Sequence, residues 1–174
     1  MNTPINYTEK FEQTLREVDH AILNKIGNSF ESSSALLLAI DYIRGEVPLV
    51  KQIAEEKDVY EMLDDTFNAV VLFDTGYSGF AITTTGWAAP IDKDDDNEDV
   101  VPSKHPKRRR VRLMTMCHKG QMGSSIRFED DEEVIYDTGN ARGSLASAMR
   151  DMYDIVRALK VSSATETQTE RQLP

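Results

Sequence analysis

The sequence predicts an α+β fold: N-terminal helices, an antiparallel four- to five-stranded meander, and a C-terminal helix packed on the sheet. Three observations predict it. Apolar residues recur every three to four positions in the N-terminal third and again after residue 143. Between these regions the period drops to two, most clearly over residues 109–118, where Val111, Leu113, Thr115 and Cys117 alternate with Arg110, Arg112, Met114 and Met116. The connections in this middle part are short, which favours antiparallel pairing because a parallel pair needs a long crossover. Helices gathered on one face of such a sheet make a two-layer domain. The other face, carrying Arg110, Arg112 and several threonines, is expected to be at least partly wet.

The first helix is carried by Phe11, Leu15, Val18, Ile22 and Ile26, spaced as one face of a helix, with Glu9 and Glu12 near its positive end and Gly27 or Asn28 as the stop. A second helix is expected from the capping serines at 32–34 through Leu36, Leu37, Ile40 and Ile43 to Gly45. A third starts at Pro48, suited to a first helical position, and carries Val50, Ile53 and Ala54 to Lys57, resuming over residues 59–63. Residues 69–74, rich in Val and Phe, read as the first strand, and residues 80–88, with three successive threonines, as the second. Residues 109–118 are the third. Two short strands, 125–128 and 133–136, follow a glycine turn at 119–123. The last helix opens at Ser144 and carries Leu145, Met149, Met152, Val156 and Leu159 on one face.

The 174 residues are expected to form one domain over 1–160, with a mobile acidic and basic loop at 90–108 and a disordered polar tail at 161–174. A single cysteine leaves no internal disulfide framework and fits a reducing compartment. Residues 1–10 lack the basic stretch followed by an apolar run that marks a signal peptide, and no run reaches the length of a membrane span, so a cytoplasmic location is expected.

Charge is segregated. Within a chain of net charge −10, residues 102–127 hold eight basic residues and no acid, while residues 92–99 hold six acids and 129–133 are acidic throughout. The densest part is Lys104, Lys107, Arg108, Arg109, Arg110 and Arg112. Guanidinium groups bind carboxylate or phosphate bidentately, and the prolines at 102 and 106 favour an extended lead-in. These six residues, with the lone tryptophan Trp87, form the candidate binding surface. No aromatic residue falls between Trp87 and Phe128, which weakens a nucleic-acid reading based on base stacking. The structural alternative is an edge strand guarded by charge and neutralised by the acidic loop, which would then cover the strip until a partner displaces it.

Other motifs point less far. Asp92, Asp94 and Asp96 match the first ligands of an EF-hand loop, but the sixth position is Asn97 and the twelfth Ser103, so no metal is expected. Asp-Thr-Gly occurs at residues 74–76 and 137–139 without the all-β surroundings of an aspartic protease, and reads as turn chemistry. Gly139 to Ser144 lacks the lysine of a phosphate-binding loop. Cys117 continues an apolar strand face and reads as core. The chain is therefore expected to be a non-enzymatic interaction or regulatory module (an adaptor, chaperone or inhibitor), without cofactor, docking electrostatically on another protein. The alternatives are a nucleic-acid-binding protein using residues 104–112 and a small hydrolase with a site near His118 and Asp137.

Overall fold

The computed structural model describes residues 7–31, 34–41, 48–90, 100–139 and 143–170. Helix α1 (Tyr7–Ile26) precedes a hairpin of β1 (Ala35–Asp41) and β2 (Leu49–Glu56). Two short helices, α2 (Val59–Asp64) and α3 (Thr66–Thr75), lead into β3 (Gly79–Ala88). Strands β4 (Arg109–His118), β5 (Gln121–Phe128) and β6 (Val134–Asp137) complete the meander, and α4 (Ser144–Glu170) closes the chain. The six strands form one sheet in the order β2-β1-β3-β4-β5-β6, antiparallel at every pairing.

The α+β class, the first helix, the meander and the closing helix are as the sequence indicates. The segment read as a second helix is β1. Its Leu-Leu-Leu-Ala-Ile run is buried on both faces because β1 lies inside the sheet with helices above and below. A strand covered on both sides loses its alternation, and a short apolar run then mimics a helix. The segment read as a third helix is β2. A bulge at Ile53, where the register slips between Leu37 and Leu38, puts Ala54 on the same face as Ile53 and opposite Val50, so the apolar residues fall at 50, then 53 and 54. That three-residue step is the helix-like spacing.

Residues 69–74, read as a strand, belong instead to α3. Asp65 caps it by accepting from the Phe67 N–H at 2.9 Å, and Gly76 ends it in the left-handed region at φ 65°. The Asn68 amide donates to the Met62 carbonyl at 2.9 Å, locking α3 to α2. Caps and tertiary contacts override the strand propensity of Val70 and Val71. Strand β5 begins at Gln121, earlier than the expected 125, because the β4–β5 turn needs only Lys119 and Gly120, both at positive φ. Helix α4 continues to Glu170, past the end of its apolar face.

Two cores result, one on each face of the sheet. Leu37, Ala39, Phe80, Ile82, Cys117 and Met122 pack against α2, α3 and α4. On the opposite face, Leu38, Ile40, Ala81, Met114 and Met116 pack against Phe11, Leu15, Val18 and Ile22 of α1. The expected two-layer arrangement is therefore a three-layer one. Arg110 and Arg112 lie on the α1 face, yet that face is covered, because the other residues there are apolar enough to need a helix.

A candidate interaction surface at one end of the sheet

The register of β3 with β4 sets Thr85 opposite Arg112, Trp87 opposite Arg110 and Ala88 opposite Arg109. Arg112 is only 6% exposed. It donates to the Gly27 carbonyl at 2.8 Å and to the Ser29 carbonyl, with its guanidinium over the Phe30 ring. Burial, followed by the charge of Arg127, holds its pKa below the usual arginine range. Arg110 donates twice to the Phe30 carbonyl, at 2.9 and 3.1 Å, and to the Thr85 hydroxyl at 3.3 Å. Together these two arginines tie β4 to the connection between α1 and β1.

Arg109 points to the other face. It forms a bidentate pair with Asp130 (2.7 Å to Oδ1 and 3.2 Å to Oδ2), reaches Asp131 at 3.4 Å, and lies 3.9 Å from the Phe128 ring centroid. The Asp130 hydrogen bond raises its pKa and lowers that of Asp130 in turn. This pair is at the surface, where such bridges contribute little to stability. Arg127, also basic in the sequence, pairs with the buried Asp19 of α1, which additionally accepts from Ser125 at 2.7 Å and Tyr136 at 3.1 Å.

Lys104, Lys107 and Arg108 remain outward, together with Trp87. A 3₁₀ turn at Pro102–Lys104 sits beside β3 and exposes Lys104, while His105 is buried beneath it, its Nδ1 accepting from the Lys107 N–H at 3.1 Å. Trp87 is 40% exposed and is flanked by two guanidiniums, those of Arg108 and Arg110, each 5.1 Å from the ring. Among the described residues, neither Lys104 nor Arg108 has an ion pair. Beside this surface a cleft of about 470 Å³ opens between Phe30 and the acidic β5–β6 turn at residues 129–133. One end of the sheet thus carries a basic and aromatic zone next to an acidic one.

The aromatic residues missing along the sequence are supplied in space. Trp87, Phe128 and Phe30 each lie against an arginine of the strip. Phe30 and Asp130 were not singled out by the sequence; their link to the strip exists only through strand register and the path of the chain after α1. The acidic stretch at 92–99, its EF-hand-like positions and its role as a cover all lie outside the described residues.

The residues of the hydrolase alternative are not brought together. His118 is on β4 on the α1 side, whereas Asp137 is on β6, two strands away and on the opposite face. Asp74 is exposed on α3. Burial lowers the His118 pKa and, as the leading cause, pushes the Cys117 thiol up to about 11, consistent with a core thiol. Both Asp-Thr-Gly copies end elements: one leads into the Gly76 cap, and in the other the Asp137 carboxylate accepts from the Gly139 N–H at 2.8 Å. Among the described residues no cluster of His, Cys, Asp and Glu is arranged to hold a metal ion, and no helix is long and apolar enough to cross a membrane. Comparison of the chain with family models, curated proteins and solved structures gave no match.

Proposed function

We propose that the protein is a cytoplasmic interaction module, of adaptor, chaperone or inhibitor type. It docks an acidic segment of another protein on Trp87, Arg108, Lys104 and Lys107. One observation carries this reading: a half-exposed tryptophan flanked by two guanidiniums, of which that of Arg110 is hydrogen-bonded to the fold and that of Arg108 has neither a hydrogen bond nor an ion pair among the described residues. Tryptophan and arginine dominate interface hot spots, and a ring already fixed by its neighbours loses little entropy on binding. Arg110 and Arg112 serve as scaffold, holding β4 and the ring in place, while Arg108 and the lysines provide the charge that a carboxylate-rich partner needs. The acidic turn at 129–133 orients the partner by repelling carboxylates from its own side.

A second reading rests on the same ring. Arginines stacked beside exposed aromatics also suit single-stranded nucleic acid. Pull-down from native lysate at two salt concentrations, with and without nuclease, separates the two. Protein docking predicts a salt-sensitive, nuclease-resistant partner whose affinity falls roughly 30-fold or more in both Trp87→Ala and Arg108→Ala. Nuclease-sensitive capture would transfer the assignment to nucleic acid. A partner bound equally well by both variants would remove this surface from the function.

A further inference from the structure

Part of the apolar surface left exposed by the fold lies on the edge strand β2 and on the two short helices that pack on it. Leu49 of β2, Tyr60 of α2, and Phe67 and Val70 of α3 are four of the nine large hydrophobic side chains exposed among the described residues. Phe67, at 69%, is the most exposed of them. Helices α2 and α3 pack on β2, the outermost strand, whereas α4 packs inward on β4. Because α3 buries Asn68, Ala69 and Leu72, its Phe67 and Val70 are left on the side turned away from the core. Strand β2 has no proline within it, and its outer edge has no neighbouring strand among the described residues. An apolar rim beside an unpaired edge is a surface suited to strand addition.

We infer that a second copy of this chain adds to the β2 edge about a two-fold axis, joining two six-stranded sheets into one. The charge pattern of β2 argues for self-pairing. Ala35 and Ala39 lie on the face covered by α2–α4, so their partners Glu56 and Lys51 share that face. Leu36 and Leu38 lie on the α1 face, which places Glu55 and Gln52 there. The Ile53 bulge is what brings residues 51 and 56, an odd number of positions apart, onto one side. An antiparallel two-fold centred between Ile53 and Ala54 then sets Lys51 against the second copy's Glu56, and Gln52 against its Glu55, each twice. Every opposed pair shares a face, and neither Lys51 nor Glu56 has an ion pair within its own chain among the described residues. The seam from 51 to 56 is about 20 Å long, and α3, which carries the exposed Phe67 and Val70, packs on the same strand. Trp87 stands on β3, two strands in from this edge, and has no part in the seam, so the inference is independent of the docking proposal.

The test is the mass of the full chain by sedimentation equilibrium across the micromolar range. Twice the 19.6 kDa chain mass is expected. Phe67→Ser combined with Val70→Ser, exposed positions that leave the core intact, shifts the species to monomer with an unchanged circular dichroism spectrum. Lys51→Glu alone and Glu56→Lys alone each weaken the dimer roughly tenfold, since the two-fold counts every mismatched pair twice. The double reversal restores it. A chain that stays monomeric throughout overturns the inference, including one that captures a strand of some other protein at this edge. So does a dimer indifferent to the α3 variants, or one that the double reversal fails to restore.

Discussion

Thr83 offers a test of how this sheet tolerates polarity. It lies in β3 between Leu36 and Met114 and is 3% exposed, and its hydroxyl has no hydrogen-bond partner among the described residues. It lines a void with Asp19, Ile22, Leu23 and Arg112 that has no room for a water molecule. A buried hydroxyl without a partner keeps its desolvation penalty, about 1–3 kcal/mol. Thr83→Val keeps the branched shape and strand propensity and removes the penalty, so a gain of about 1–2 kcal/mol is expected. For a domain of this size that raises Tm by about 2–8 °C. Thr115→Val is the matched control: Thr115 is equally buried, but its hydroxyl bonds the Ser124 hydroxyl at 3.0 Å, so the same change should destabilise by about 1 kcal/mol. Urea unfolding with a shared m-value measures both. A Thr83→Val protein no more stable than the wild type would refute the reasoning.

Three further outcomes are expected. Arg112→Met should cost about 2–4 kcal/mol by urea denaturation, because it strands the Gly27 and Ser29 carbonyls. Gly123→Ala should destabilise by about 1–3 kcal/mol, since a methyl there would sit 2.9 Å from the Phe11 ring and 3.1 Å from both Leu15 and the Asp137 carbonyl; calorimetry of the variant checks it. Cys117 titrates at about 11 when folded against 9.0 otherwise. The folded state therefore holds this proton longer, and the associated stability is complete below pH 9 and lost as pH rises to about 11. The stability difference between wild type and Cys117→Ala, followed by denaturant titration, should shrink by about 2 kcal/mol across that window.

Where one physical signal acted alone, the sequence was easy to read. Residues 109–118 alternate because one face of β4 packs under α1 and the other toward α4, and the strand has the bounds that the pattern implies. The stripe of α1 was equally clear. Reading failed where two influences overlapped. Burial on both faces erased the alternation of β1, a bulge shifted the phase of β2, and the caps of α3 outweighed its valines. At the candidate surface the cations were visible in the sequence but their partners were not. The Phe30 carbonyl that receives Arg110 is 80 residues away along the chain. A run of six bases thus resolves into scaffold arginines and an outward group that linear order cannot separate.

The arginine latch between β4 and the segment after α1 has one more consequence. Its acceptors at Gly27, Ser29 and Phe30 are main-chain oxygens, which every amino acid supplies. The exposed side chains of Asn28, Ser29 and Glu31 can therefore vary in size and sign without loosening the joint. A rim beside the tryptophan is thereby open to drift, and partner preference can be retuned there while the framework stays fixed.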